Sequence, residues 1–159
     1  MLLVDTYIAP SKIHGIGLFA GADISKGTPI WKFNQNTCQI YWRKQFINIC
    51  WDLSLPAILD LLNHSYLKEG NIYYLNDNTK FINHSLTPNI AFQTTTLEVA
   101  IEDIKKDEEI TENYSISYDQ NDFFDLKLAS YNGSKKLLIK YLSEQILIKS
   151  RPKQSFLVR

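Results

Sequence analysis

The 159-residue sequence predicts a mostly β fold with a few helices, built from small antiparallel sheets within one domain. Three observations carry that expectation. The apolar segments are short and are separated by Gly, Asn/Asp or Thr-rich turns. The connections between them are too short to hold the crossover helices of a parallel sheet. Helical spacing of apolar residues shows only in one central stretch and again near the carboxyl end.

Taken in order, Leu2 to Ile8 reads as a strand, followed by the turn-rich stretch Ser11 to Ala20. Gly27 then marks a tight turn before the apolar run Ile30 to Phe33. From Leu53 to Leu67 the spacing of Leu55, Ile58, Leu59, Leu62 and Tyr66 predicts a helix, with Ser54 as its cap, Pro56 in its first turn and His64 inside it or at its end. Ile72 to Leu75, Lys80 to Ile82, Ile90 to Gln93 and Leu97 to Ile101 read as strands between polar turns. The segment Ala100 to Tyr114 runs strand, turn, strand. Leu126 to Asn132 and Lys135 to Lys149 read as helices, the second with Leu138, Tyr141, Leu142 and Ile146 on one face, and residues 150–159 as a tail.

Composition narrows the functional classes. Hydrophobic residues at 45% and charged residues at 21% are those of a folded globule. Seventeen basic residues balance 17 acidic ones, so net charge favours no polyanionic partner, and no direct nucleic-acid contact is expected. The charges are nevertheless split: nine acidic residues face two lysines between Glu102 and Asp125, and eight basic residues face Glu144 alone from Leu126 to Arg159. Such a split gives either two solvated faces that attract each other or an acidic groove for a basic ligand. Cys38 and Cys50, with no CxxC or Cys/His pairing, point to a reduced interior and to neither zinc nor a disulfide framework. The amino terminus lacks a signal-peptide pattern and no stretch is long enough to span a membrane, which predicts a cytoplasmic or otherwise intracellular protein.

Three polar or glycine-bearing stretches stand out from this background. Gly15-Ile16-Gly17 places two glycines around one apolar residue between strand-like segments; alone it is a tight turn, though glycine also leaves bare backbone that a ligand can approach. Asn83-His84-Ser85 with Pro88-Asn89 concentrates hydrogen-bonding side chains directly after Phe81-Ile82. As a lone motif it reads equally as a satisfied structural turn. The three histidines His14, His64 and His84 lack ligand spacing, so no metal is expected. Ser85 beside His84 is a poor nucleophile pair, because adjacent strand residues point to opposite faces. The third stretch, Ile104 to Tyr114, passes through an acidic turn and ends on an aromatic hydroxyl that, taken alone, belongs to the core as readily as to a site.

In this order and spacing the three stretches resemble the SET-domain family of protein lysine methyltransferases, over roughly Asp5 to Tyr118. The middle motif, matching at Phe81, Ile82, Asn83, His84, Ser85, Pro88 and Asn89, is the most specific of the three, and the glycine turn the least. Asn63-His64-Ser65 repeats the tripeptide without the Phe-Ile before it or the Pro-Asn after it, and so falls outside the motif. The resemblance implies a β-clip-like fold with a pseudoknot, in which the segment ending at Tyr114 passes under a loop from the Asn83 region. It also implies a SET domain over residues 1–125, with a helical insert at about 53–68, and a carboxy-terminal helical segment and tail over 126–159.

What the resemblance implies for function is specific. S-adenosylmethionine is the expected cofactor, with Gly15, Ile16, Gly17, Asn83, His84 and Tyr114 around it. Tyr114 is the expected catalytic residue, orienting a lysine amine that must lose a proton from a group with an ordinary pKa of about 10.4. Tyr73, Tyr74, Phe92 and Tyr118 are expected to line the substrate channel. The expected partner is a lysine-containing protein or peptide, histones among the candidates, held near Asp119, Asp122 and Asp125, with the protein a monomer or homodimer and nuclear or host-directed placement left open. The alternative is a catalytically silent SET-fold binding module. Two departures accompany the match. No cysteine-rich zinc segment follows Tyr114, leaving Tyr118, Phe123, Phe124 or Phe156 to close the site, and Glu112-Asn113 stands where an aromatic-Asp pair is common.

Overall fold

Short β segments and two helix-rich stretches are what the chain forms in the computed structural model, which describes residues 1–118 and 133–144. They divide into two compact units: residues 1–39 with 74–118, and residues 40–73 with the described residues 133–144.

The first unit holds two small sheets. One has the order β1-β2-β10-β7, from β1 (Thr6–Pro10), β2 (Ile16–Ala20), β10 (Glu109–Glu112) and β7 (Asn83–His84). β1 and β2 form an antiparallel hairpin with Thr6 opposite Ala20 and Pro10 opposite Ile16. β10 lies antiparallel to β2, with Ile110 opposite Leu18, and parallel to β7, with Thr111 opposite Asn83 and Glu112 opposite His84. The other sheet is antiparallel with the order β3-β9-β8, from β3 (Pro29–Lys32), β9 (Leu97–Ala100) and β8 (Ile90–Thr94). Both of its pairings carry a register shift, at Pro29/Trp31 and at Phe92/Thr94. Leu18, Ala20, Ile24, Ile30, Ile82, Ile90, Ala100, Ile104 and Ile110 fill the core between the strands, and Leu2 and Val4 pack against it.

Two turns of similar sequence lock this core. Ile24 and Ile104 exchange both backbone hydrogen bonds at 2.8 Å. Beside them the Lys26 amide donates to the Asp103 carboxylate at 2.8 Å, while the Lys106 amide donates to Asp23 at 2.9 Å. That bond and the Lys105 ammonium at 3.5 Å hold the Asp23 carboxyl below its ordinary range. Each turn needs one left-handed residue, supplied by Gly27 (φ +85°) and Asp107 (φ +67°).

The second unit contains α1 (Arg43–Asp52), α2 (Leu55–Asn63), β5 (Ser65–Lys68) and α4 (Lys135–Ser143). β4 (Cys38–Tyr41) and β6 (Asn71–Leu75) carry the chain from one unit to the other and order with β5 as β4-β6-β5. α1 packs on α4, and the Lys135 ammonium donates to the Trp51 carbonyl at 2.6 Å. Both cysteines are free and buried. Among the described residues no helix is long and apolar enough to cross a membrane.

Several elements depart from the sequence reading. The helix expected over Leu53 to Leu67 spans only Leu55–Asn63: Ser54 does cap it, accepting from the Ala57 amide, but His64 takes φ −116° and Ser65 donates to the Leu61 carbonyl at 2.6 Å. Its expected last turn, Tyr66 and Leu67, is instead a buried strand. Lys80 to Ile82, read as a strand, belongs to a 3-10 turn, Asn78–Phe81, because the Asp77 carboxylate captures the Thr79 amide at 3.2 Å. The first strand begins at Thr6, with Leu2 making a separate bridge to Trp31. β10 ends at Glu112, and Tyr114 opens a one-turn helix, α3 (Tyr114–Ser117), capped by Asn113. One pair, β7 with β10, is parallel without being a βαβ unit. The expected helix over Leu126 to Asn132 lies outside the described residues.

Candidate functional site

The strand β10 is the axis of the site, and two asparagines hold it where regular strands cannot. Asn89, 3% exposed, donates from its amide to the Glu109 carbonyl at 2.8 Å and accepts the Thr111 amide proton at 2.8 Å. Its own backbone amide donates to the Thr111 carbonyl at 3.2 Å. On the other side, Ser85 donates its amide to the Glu112 carbonyl at 2.9 Å. A polar knot beside a buried strand is therefore a way of pairing backbone that would otherwise be orphaned, at about 1–3 kcal/mol for each group. β10 runs between β2 and β7 with the 83–89 loop wrapped along it, which is the crossing expected from the motifs.

Asn83 joins this crossing to the glycine turn. Its Nδ2 lies 2.8 Å from Glu109 Oε1, 3.1 Å from the His14 carbonyl and 3.2 Å from the Ile16 carbonyl. Two hydrogens thus serve three acceptors, all drawn to one point. The two glycines of the turn differ. Gly15 sits at φ +50°, and a Cβ there would meet nothing within 4 Å, so its outer side is open backbone beside the 47%-exposed Ile16. A Cβ on Gly17 would lie 2.8 Å from the Glu109 carboxyl carbon and 3.1 Å from Ser11 Cβ. Gly17 is glycine because its own chain fills that space.

Tyr114 follows the crossing directly. Its amide donates to His84 Nδ1 at 3.2 Å, which leaves the His84 proton on Nε2, and its hydroxyl donates to the Ile82 carbonyl. The residue as a whole is 39% exposed, yet the hydroxyl end points inward. Burial first, and the Glu112 carboxylate second, push the phenol well above its ordinary pKa, so it stays protonated. Around it the His84 ring lies 5.3 Å away and the Tyr118 ring 5.4 Å away, centre to centre. Tyr118 meets Phe92 edge-on at 6.4 Å, Phe92 meets Trp31 edge-on at 6.2 Å, and the Tyr118 hydroxyl donates to the buried Glu112.

Gly15, Ile16, Gly17, Asn83, His84, Tyr114, Tyr118 and Phe92 all fall in the first unit, joined by the contacts above. Tyr74, in β6, falls in the same unit and is half-buried. Tyr73 belongs to the second unit, where its ring stacks on Tyr66 at 5.1 Å. Asp119, Asp122, Asp125, Phe123, Phe124 and Phe156 lie outside the described residues. Among the described residues no group of His, Cys, Asp and Glu could hold a metal ion. Sequence reading gave no role to Ser11 or to Glu109, which lies within the Ile104 to Tyr114 stretch; the two meet from 98 residues apart. The nearest signal was the glycine at position 17, a missing side chain whose space some other residue had to fill.

The SET domain family model matches residues 15–115, from the glycine turn through Tyr114. The chain belongs to the SET-domain family. No curated protein sequence matches it. Among solved structures, this SET domain is similar to ctPRC2 in an apo, autoinhibited state, at 19% identity and a TM-score of 0.55 over 81% of this chain and 17% of that one. It is also similar to a humanised mutant of the Chaetomium thermophilum Polycomb Repressive Complex 2 bound to an inhibitor, at 19% identity and a TM-score of 0.53, over 72% of this chain and 15% of that one. An active polycomb repressive complex 2 in the stimulated state gives 21% identity and 0.53 over 70% and 15%. The likeness at such identities is one of fold, and the SET domain described here spans only about one sixth of the length of those chains.

Proposed function

We propose that this SET domain is an S-adenosylmethionine-dependent protein lysine N-methyltransferase. The observation that carries the reading is the convergence on one crossing of the Asn83-His84 pair, the glycine turn and the inward hydroxyl of Tyr114. The residues present fit the cofactor: Gly15 offers open backbone, and His14, Ile16 and Asn83 place polar main-chain and side-chain groups beside it. Gly15, Ile16, Asn83 and His84 would hold S-adenosylmethionine, which supplies an electrophilic methyl group when bound. Gly17 contributes from behind by leaving room for Glu109.

The chain's own groups then have defined tasks. The Tyr114 hydroxyl and the Ile82 carbonyl form a donor-acceptor pair at the crossing, suited to orienting an amine, which both donates and accepts. The raised phenol pKa keeps that hydroxyl neutral, so it cannot trap a lysine as a phenolate ion pair. The rings of His84, Tyr118 and Phe92 exclude water and favour a neutral amine over an ammonium in the same space. Tyr74 and Tyr118, both in the first unit, are the further residues proposed for the substrate channel. The substrate class is a lysine in a flexible basic segment, of which histone tails are one example.

Calorimetry with S-adenosylmethionine, followed by mass spectrometry of histones and of a cell lysate incubated with the cofactor, tests the proposal. Micromolar binding and peptides heavier by one or more methyl groups are expected. Absence of binding refutes the cofactor assignment. Binding with no methylated product in either mixture makes the domain a silent SET-fold binding module.

A further inference from the structure

Asn83 meets Ser11 and Glu109 in a polar cluster behind the glycine turn, and to these last two neither the motifs nor the family match assigns a role. Ser11 Oγ lies 2.8 and 2.9 Å from the two oxygens of the Glu109 carboxylate, and the same Oγ accepts the amide protons of Ile13 at 2.8 Å and His14 at 3.3 Å. From the other side, Asn83 Nδ2 is 2.8 Å from Glu109 Oε1 while also reaching the carbonyls of His14 and Ile16. A hydroxyl has a single proton. Because the carboxylate takes it, both lone pairs of Ser11 are turned toward the Ile13 and His14 amides. The carboxylate is equally acceptor-only, so it turns the Asn83 amide donor-first and leaves its second hydrogen to the turn's carbonyls.

One side chain therefore fixes both edges of the turn. Through Ser11 it holds the N–H edge at 13 and 14, and through Asn83 it holds the C=O edge at 14 and 16. The empty Cβ position of Gly17 is what lets the carboxylate reach between them. We infer that Glu109 is a positioning residue for the glycine turn, setting the affinity of that turn for an adenosyl sulfonium ligand without touching the ligand itself. The ligand rests on the methyltransferase reading; the clamp does not.

The test compares wild type with Glu109→Gln, Glu109→Ala and Ser11→Ala. Each is first checked by circular dichroism, and the exchange rates of the Ile13 and His14 amides are then read by NMR. The amides are expected to exchange about tenfold faster in Ser11→Ala and Glu109→Ala, and less so in Glu109→Gln, which keeps one acceptor. In calorimetry with S-adenosylmethionine and S-adenosylhomocysteine, Kd is expected to rise about tenfold in Glu109→Gln and further in Glu109→Ala. At saturating cofactor kcat is expected to stay within about threefold of wild type, a split that general loss of structure would not produce. Unchanged amide exchange in folded Ser11→Ala and Glu109→Gln overturns the clamp whatever the cofactor does. Faster exchange with unchanged Kd overturns its coupling to the ligand. A wild-type domain that binds neither nucleoside sinks the methyltransferase reading instead, and the exchange data then decide the clamp alone.

Discussion

Replacing Tyr114 with phenylalanine isolates a single hydroxyl. The ring contacts with His84 at 5.3 Å and Tyr118 at 5.4 Å involve atoms that phenylalanine retains, and the Tyr114 amide still donates to His84 Nδ1. What disappears is the donor to the Ile82 carbonyl, in a residue only 5% exposed. Losing one such bond and leaving its acceptor buried lowers stability by about 1–2 kcal/mol. Under the proposed function, in which the same hydroxyl orients the reacting amine, turnover is expected to fall at least about tenfold, or about 1.4 kcal/mol of barrier. The assay is kcat at saturating cofactor and peptide, with calorimetric Kd for the cofactor expected to stay near wild type. The phenol adds a check on sign. Its folded pKa is raised above an unfolded value of about 10, so its contribution to stability is complete below about pH 10 and is lost as pH climbs toward the folded value. Between those limits wild type should lose stability more steeply with pH than Tyr114→Phe. An unimpaired turnover in Tyr114→Phe refutes the catalytic assignment, and parallel alkaline unfolding curves refute the buried phenol.

Asn89→Ala removes two 2.8 Å bonds to β10 at a buried position, and urea unfolding should show a loss of about 2–4 kcal/mol; a loss under 1 kcal/mol contradicts the pairing described. Gly17→Ala drives a Cβ to 2.8 Å from a carboxyl carbon that Ser11 and Asn83 hold in place, so overpacking should cost about 1–3 kcal/mol in the same measurement, whereas Gly15→Ala meets only the penalty of its positive φ. Burial pushes the Cys38 thiol up to about 12 and the Cys50 thiol up to about 11. Neither should react with a disulfide reagent at pH 8 in the native protein, and both should react once urea unfolds it; rapid native labelling contradicts the buried placement.

Legibility in the sequence followed the range of the interaction. The small antiparallel sheets were readable because strand patterning and turn residues are local, and Ser54 with Pro56 marked the start of α2 correctly. α1 left no such mark: Trp42 caps it without a side-chain bond and its first turn carries no acidic residue. Where α2 gives way to β5, Tyr66 and Leu67 continue a helical apolar spacing, and only tertiary burial turns them into strand. The 3-10 turn at Asn78–Phe81 was hidden because Phe81-Ile82 looks β-like until Asp77 bends the chain before it. Within the candidate site, Asn83, His84, Asn89 and Tyr114 were found through motif order. The pairing of Ser11 with Glu109 was not, since a hydroxyl and a carboxylate 98 residues apart share no local pattern.

The asparagines at the crossing meet a geometric constraint that suits a side-chain carboxamide. β7 is two residues long, and beyond it the chain must leave β10 to make the turn toward β8. On the edge of β10 opposite the Ser85–Glu112 bond lie the Glu109 carbonyl and the Thr111 amide, which the Asn89 side chain pairs. A carboxamide carries one donor and one acceptor on a planar group, the same functions as a peptide unit, and Asn89 sets them on those two partners at equal 2.8 Å distances. The side chain therefore stands in for one link of a missing strand. Aspartate, with the same shape, would bring a second acceptor against the Glu109 carbonyl and lose the bond there. Serine or threonine, with one hydroxyl, could not span both groups. At this crossing a side-chain amide does the pairing, and a second one, on Asn83, donates toward the His14 and Ile16 carbonyls of the glycine turn.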